Sequence, residues 1–158
     1  MSLPSINSPA IDFTLKNQHG DDVQLSSFMG KKNVVLYFYP RASTPGCTVQ
    51  ACGMRDYHAE LAKRNTVCLA VSPDTVKKLL NFSDKQQLNF DLLSDEDTQV
   101  AQSYGVWALK KFMGRESMGI LRTTFIIGKD GKIQHIMDKV KTKTHHDDVL
   151  ALLDQLEG

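Results

Sequence analysis

An apolar run that stops at a proline and is followed by a helix constrains the fold of this chain more than any other feature. Residues 33–39 are apolar, β-branched and aromatic, which predicts a hydrophobic strand. Pro40 ends the run, because proline cannot donate a hydrogen bond to a sheet ladder. Beyond a short loop, residues 47–63 carry Met54, His58 and Leu61 at helical spacing, which predicts a helix.

Cys47 lies at the first turn of this predicted helix. Pro45 falls near the first helical position, where its missing N–H costs no hydrogen bond. The start of a helix presents unpaired backbone N–H groups and the positive end of the helix dipole, and both favour a thiolate over a thiol. The sequence therefore predicts a reactive cysteine, although a cysteine taken alone also fits an inert, buried thiol.

A second cysteine, Cys52, follows five residues later on the same predicted helix. In a regular helix that offset separates the two Cα atoms by roughly 8–9 Å, whereas a disulfide needs about 4.4–6.8 Å. Cys47 and Cys52 can therefore bridge only if the helix unwinds locally, which suits a redox cycle better than a permanent staple. The spacing alone leaves open that Cys52 is a small core residue. The third cysteine, Cys68, lies within an apolar strand and is expected to be a packed bystander.

The order of predicted elements indicates an α/β protein, a three-layer sandwich around a mixed β-sheet. Residues 12–15 and 22–25 predict an N-terminal β-hairpin. The predicted strands that follow cover 33–39, 66–71, 90–93, 123–127 and 132–136, and the predicted helices cover 47–63, 74–87, 97–104 and 146–156. Trp107, Phe112 and Met113 are expected to pack in the core or in a loop.

Composition restricts the class of protein. With 158 residues the chain has the length of one domain, which we expect to span residues 1–158. The 19 basic and 18 acidic residues leave a formal net charge of +1, so no overall field attracts nucleic acid or an anionic membrane. The N-terminus lacks the pattern of a signal peptide, and no stretch approaches the roughly 18 apolar residues of a membrane span. We therefore expect a cytoplasmic protein whose 3 cysteines are reactive or buried.

The sequence of residues 37–52 closely resembles the peroxiredoxins of the bacterioferritin comigratory protein (PrxQ) subfamily. That subfamily's signature is a proline, three residues, a threonine, two residues and a cysteine, which correspond here to Pro40, Thr44 and Cys47. Further motifs agree in order and spacing, namely Leu92-Leu93-Ser94-Asp95, Tyr104-Gly105-Val106-Trp107, Phe112-Met113-Gly114, the segment 122–127 and Asp130-Gly131. Arg41 differs from the lysine that this subfamily usually has at the corresponding position, a departure that does not touch the reacting centre.

The resemblance implies a thioredoxin fold in its peroxiredoxin form and an antioxidant, thiol-dependent peroxidase. Cys47 is then the peroxidatic cysteine that attacks hydrogen peroxide or an organic hydroperoxide, and Cys52 the resolving cysteine of an intramolecular disulfide. Thioredoxin or a similar dithiol is the implied reductant. No metal, haem or flavin is implied, and the intramolecular disulfide favours a monomer.

Ionisation alone does not explain a fast peroxidase. For a free cysteine, full conversion to thiolate at neutral pH gains only about thirtyfold, so a larger acceleration needs groups that orient the peroxide and stabilise the leaving oxygen. The hydroxyl of Thr44 and the N–H groups near Gly46 and Cys47 are such groups. Pro40 is expected to shield the thiolate from water.

The family's pattern also includes a distant arginine, which falls on Arg122, directly before the strand 123–127. In this role Arg122 donates to both the thiolate and the peroxide. Arg115 is the competing candidate. Taken alone, Arg122 fits a surface charge at a strand end. Only its place in the family's whole pattern makes it a candidate for the active site.

The cysteines also allow three other functions, namely metal binding, disulfide reduction and thiol sensing. Cys47, Cys52 and His58 offer three metal ligands, but their gaps lack paired CxxC spacing and a helix spreads them around its circumference. A thioredoxin-like disulfide reductase needs two cysteines separated by two residues, which this chain lacks. A non-enzymatic thiol sensor would share the reactive Cys47, and turnover of peroxide with a reductant distinguishes the two.

Overall fold

The computed structural model describes residues 3–156. Its strands are β1 (Thr14–Asn17), β2 (Asp22–Gln24), β3 (Asn33–Phe38), β4 (Thr66–Ser72), β5 (Asp91–Ser94), β6 (Trp107–Phe112), β7 (Arg115–Ile120), β8 (Thr123–Ile127) and β9 (Ile133–Met137). Its helices are α1 (Pro45–Asp56), α2 (His58–Lys63), α3 (Val76–Gln86), α4 (Gln99–Ser103) and α5 (His145–Leu156), with a short 3-10 turn at Leu25–Phe28.

Seven strands form one mixed sheet in the order β2-β1-β5-β4-β3-β8-β9. The central strands β3, β4 and β5 run parallel, whereas β8 pairs antiparallel with β3, and β9 with β8. The hairpin β1–β2 attaches antiparallel to β5 at the other edge. The predicted mixed sheet with an N-terminal β-hairpin is confirmed.

The apolar run of β3 is buried on both faces of the sheet. Val35 and Tyr37 contribute to a core shared with α1, α2, α3 and α5. Val34, Leu36 and Phe38 contribute to a second core, shared with α4 and the 3-10 turn. A continuous apolar run is what a central parallel strand needs, because helices or turns cover it from both sides. This arrangement is the predicted three-layer sandwich.

The helix predicted over residues 47–63 is interrupted. At Tyr57 the backbone leaves helical geometry (φ −98°, ψ 12°), and α2 begins at the next residue. The side chain of Tyr57 contacts α5, since its hydroxyl donates to Asp147 at 2.7 Å and its ring meets the ring of His146 edge-on at 4.6 Å. These tertiary contacts, which no local pattern reveals, accompany the break.

The sequence pattern also did not predict the antiparallel pair β6–β7. It forms a separate two-stranded sheet, and most of β7 is exposed, so the strands lack an alternating apolar face. Met113, at the turn, is 87% exposed, so the expectation that it packs in the core or against a loop was wrong. Trp107 packs against the second core, and the side chain of Phe112 lies outside the described part of the chain.

No helix within residues 3–156 is both long enough and apolar enough to cross a membrane.

Candidate active site

The loop after β3 delivers Cys47 to the start of α1. Pro40 is half-buried at the beginning of this loop. The N–H of Ala42 donates to the carboxylate of Asp74 at 2.7 Å, which ties the loop to the end of β4. Ser43 adopts a φ of 64°, in the left-handed region that non-glycine residues rarely occupy, so surrounding contacts must hold this turn. Cys47 then lies in the first turn of α1 with 2% of its surface exposed.

Thr44 is the residue that precedes α1, and its side chain does not cap the helix. Its hydroxyl donates to the carbonyl of Arg41 at 2.9 Å, so the hydrogen is committed and the oxygen is left to accept. The N–H groups of Gly46 and Cys47 belong to the first turn of α1 and point out of the helix start. Together these groups form an acceptor and donors beside the thiol, the combination needed to bind a hydroperoxide and stabilise a developing oxyanion.

Arg122 reaches this helix start from the residue before β8. Its Nη1 atom donates to Oε1 of Gln50 at 2.6 Å. Its Nη2 atom lies 3.6 Å from the position that a Cβ would occupy on Gly46. The guanidinium is therefore packed over the first turns of α1. Arg115 is exposed on β7, in the separate hairpin, so its placement does not match that of Arg122.

Gln50 and His145 join this site, although the sequence did not single out either residue for it. Both are fully buried. The amide Nε2 of Gln50 lies 3.2 Å from Nδ1 of His145, and Nε2 of His145 lies 2.8 Å from the hydroxyl of Thr124. Burial lowers the pKa of His145 to about 3, and the nearby His146 and Arg122 act in the same direction. The histidine is therefore neutral at physiological pH.

Cys52 lies further along α1 and is half-buried. Its thiol donates to the side-chain oxygen of Gln86, at the end of α3, over 3.5 Å. Arg55 supports the same contact, since its guanidinium donates to the carbonyl of Gln86 at 2.7 Å. Cys47 and Cys52 are both free thiols on one continuous helix, so the separation of roughly 8–9 Å expected from helix geometry applies. A disulfide between them requires α1 to unwind.

Comparison with known proteins places the chain in a family. Residues 6–136 match the family described as AhpC/TSA. The chain belongs to the AhpC/TSA family. It is 51% identical to peroxiredoxin Bcp of Escherichia coli, over 90% of this chain and 91% of the relative. It is 44% identical to peroxiredoxin Bcp of Bacillus subtilis, over 96% of each chain.

A solved structure agrees with this assignment. The bacterioferritin comigratory protein of Xanthomonas campestris superimposes with a TM-score of 0.87 at 34% identity, over 92% of each chain, and its structure concerns the alkyl peroxide reduction activity of that protein. These relationships make the chain a peroxiredoxin of the Bcp (PrxQ) group with a thioredoxin fold. As a peroxiredoxin it is a thiol-dependent peroxidase, which acts on a peroxide and takes electrons from a thiol reductant.

The third cysteine of this peroxiredoxin has a different setting. Cys68 is buried on β4, and burial raises the pKa of its thiol, as does the charge of Asp91. It borders a surface pocket of about 480 Å³ whose lining does not include Cys47. A thiol held in its protonated form is a poor nucleophile, in keeping with a packing role for Cys68.

The residues weighed as metal ligands are not brought together. His58 lies on α2, beyond the break at Tyr57, and is exposed. In the described part of the chain, no three histidine, cysteine or carboxylate side chains are grouped so that they could hold a metal ion.

The buried histidine leads to a prediction about acid stability. The folded-state pKa of His145 is about 3, below its ordinary value of 6.5. The unfolded chain therefore takes up a proton that the folded chain refuses, so this contribution to stability is complete above about pH 6.5 and is lost as the pH falls towards 3. Between about pH 6 and pH 4, the free energy of unfolding of His145→Asn should depend less steeply on pH than that of the wild type, by up to about 1.4 kcal/mol per pH unit. Urea unfolding across this pH range measures how the free energy of unfolding depends on pH in each protein. Equal dependences would contradict the assignment of His145 as a neutral, buried histidine.

Proposed function

We propose that this peroxiredoxin uses Cys47 as its peroxidatic thiol and Cys52 as its resolving thiol. The observation that carries the proposal is the placement of the Arg122 guanidinium over the helix start that holds Cys47. A thiol, a cation, directed N–H groups and a hydroxyl acceptor then lie together at one helix start. Pro40, half-buried at the loop entrance, limits the access of water.

The first step is attack by the Cys47 thiolate on one oxygen of the peroxide. A sulfur–oxygen bond forms, the O–O bond breaks, and its electron pair goes to the departing oxygen, which takes a proton and leaves as water or an alcohol. Cys47 becomes a sulfenic acid. Arg122 and the N–H groups of Gly46 and Cys47 stabilise the charge on the departing oxygen, while the oxygen of Thr44 accepts a hydrogen bond from the peroxide.

The second step is condensation of the two cysteines. The thiol of Cys52 attacks the sulfenic sulfur of Cys47, water leaves, and an intramolecular disulfide forms. The start of α1 must unwind first, and the contact of Cys52 with Gln86 must break. A dithiol then returns two electrons and two protons, and we propose thioredoxin for this role.

The cellular setting follows from the same chemistry. We propose hydrogen peroxide and organic hydroperoxides as substrates, and the alkyl peroxide reduction named for the Xanthomonas campestris protein supports the organic class. An intramolecular disulfide needs no second copy, which supports a monomer with one catalytic domain over residues 1–158. The cytoplasm, where thiol reductants keep cysteines reduced, is the proposed compartment. No nucleic acid or membrane partner is proposed for a chain with a formal net charge of +1.

Single substitutions separate the roles of the three cysteines. Cys47→Ser should abolish peroxide consumption, because the attacking sulfur is lost. Cys52→Ser should react once with peroxide and accumulate a sulfenic acid on Cys47, yet turn over poorly with thioredoxin. Cys68→Ser is the matched control and should keep wild-type turnover, since Cys68 lies on β4, outside the helix that carries the other two cysteines. The assay couples thioredoxin and its reductase to NADPH oxidation, with mass spectrometry of the trapped sulfenic acid. Full turnover in Cys52→Ser would remove Cys52 from the mechanism.

Two further variants separate binding of the peroxide from ionisation of the thiol. Arg122→Ala and Thr44→Val should each slow single-turnover oxidation even on the high-pH plateau, where the thiol is fully ionised. Loss of a transition-state donor typically costs about a hundredfold, or roughly 3 kcal/mol, which is the effect expected for Arg122→Ala.

The matched control for Arg122 is Arg115→Ala, because Arg115 is exposed on β7 and should not affect the rate. Stopped-flow oxidation across pH measures all three variants. A slow Arg115→Ala beside a normal Arg122→Ala would show that the wrong arginine was assigned. Recovery of the wild-type rate at high pH would show that these residues act only on thiol ionisation.

A further inference from the structure

We propose that His145 is a positioning residue for the peroxidase reaction, which holds Arg122 over Cys47 by fixing the orientation of the Gln50 side chain. The inference rests on the proposed role of Arg122. It assigns a task to the first residue of α5, an element that otherwise contributes packing to the core.

The connection is a chain of three hydrogen bonds between separate elements. Arg122 Nη1 meets Oε1 of Gln50 at 2.6 Å, Nε2 of Gln50 meets Nδ1 of His145 at 3.2 Å, and Nε2 of His145 meets the hydroxyl of Thr124 at 2.8 Å. Gln50 and His145 have no exposed surface, and neither has Thr124. Water therefore cannot replace a partner that is lost. Breaking any one of these hydrogen bonds leaves a buried polar group unpaired, which is costly.

Arg122 determines which group donates and which accepts in each of these three hydrogen bonds. A guanidinium can only donate, so the oxygen of the Gln50 amide must face Arg122 and the NH₂ group must face His145. An NH₂ group also only donates, so Nδ1 of His145 must be unprotonated. The ring proton then lies on Nε2, which donates to the hydroxyl of Thr124. One neutral tautomer of His145 fits this arrangement, and the lowered pKa of the ring agrees with it.

The amide of Gln50 is fully buried, so both of its ends need a partner within the protein. Its oxygen and its NH₂ group have nearly the same shape, and rotation by half a turn exchanges them. In the exchanged orientation the NH₂ group would face the guanidinium, donor against donor, and Arg122 would lose its acceptor. Among residues 3–156, Gln50 Oε1 is the one recorded hydrogen-bond acceptor of the Arg122 side chain. His145 supports the observed orientation, because its neutral ring accepts from the NH₂ group that this orientation turns away from Arg122 and so leaves the buried amide paired at both ends.

His145 is itself held in place from two sides. The ring of Tyr37 meets it edge-on with centroids 5.2 Å apart. The start of α5 is also held by the residue that follows α1, since the hydroxyl of Tyr57 donates to Asp147 at 2.7 Å. The ring can therefore act as a rigid reference for Gln50, and through it for the arginine. A displacement of about 1 Å in a positioned catalytic group can cost on the order of a hundredfold in rate.

Three substitutions of His145 test this role, because each retains a different one, or neither, of the two hydrogen-bonding positions of the ring, Nδ1 and Nε2. His145→Asn keeps an acceptor at the place of Nδ1, facing Gln50. His145→Gln keeps a polar group only at the place of Nε2, facing Thr124. His145→Leu keeps neither. His58→Asn, at an exposed histidine on α2, is the matched control.

The readout is a ratio of two single-turnover rate constants for Cys47 on the high-pH plateau, one with hydrogen peroxide and one with iodoacetamide. Alkylation needs the thiolate and its accessibility but no polarised peroxide oxygen, so a general disturbance of the helix start changes both rates together. We expect His145→Leu and His145→Gln to lower the ratio roughly tenfold or more. We expect His145→Asn and His58→Asn to keep it near the wild-type value.

A double-mutant cycle with Arg122→Ala completes the test. If His145 acts through the arginine, His145→Leu should cause no further loss of ratio in the Arg122→Ala background. Additive losses, or an unchanged ratio in both His145→Leu and His145→Gln, would overturn the inference while leaving the role of Arg122 intact. An unchanged ratio in Arg122→Ala itself would overturn the proposed role of the arginine and this inference with it. Should His145→Leu fail to fold, the contrast between His145→Asn and His145→Gln still decides the outcome.

Discussion

The register between β3 and β8 is the constraint on which the site depends. Phe38, the last residue of β3, pairs with Thr123, the first residue of β8. The backbone therefore leaves β3 towards Cys47 and enters β8 from Arg122 at the same end of these two strands. A slip of one residue would direct Arg122 to the opposite face, since side chains alternate along a strand. A slip would also disrupt both cores, because the side chains of β3 pack closely on both faces of the sheet.

The same helix start meets two opposed requirements. In the proposed mechanism, attack on a peroxide needs an intact first turn of α1, because the directed N–H groups and the contact with Arg122 exist only there. The proposed disulfide needs that turn to unwind, because Cys47 and Cys52 are too far apart on a regular helix. The left-handed backbone at Ser43 and the absence of a side-chain cap at Thr44 make this end of α1 less secure than a capped helix start.

The sequence predicts the parts of the site that a local pattern encodes. The strand, the proline that ends it and the cysteine at a helix start all lie within residues 33–47, and each has a physical signature. Arg122 was identified only through the family resemblance, because its closeness to Gly46 arises from strand pairing across the fold. Gln50 and His145 carry no local signal beyond a polar residue on a predicted helix and a histidine near a helix start. Their meeting depends on how α5 packs against α1, and the contacts that accompany the break at Tyr57 also involve α5.

Positioning of the peroxide, beyond ionisation of the thiol, is the proposed source of the acceleration. The most direct test compares the wild-type rate constant for oxidation of Cys47 by hydrogen peroxide with that of free cysteine, both taken on the high-pH plateau where each thiol is fully ionised. Ionisation then contributes equally to both, and any difference comes from the site. We expect Cys47 to react at least about a hundredfold faster than free cysteine. Rates equal within a few-fold would contradict it, because the arginine, the helix start and the threonine would then contribute nothing to the chemical step.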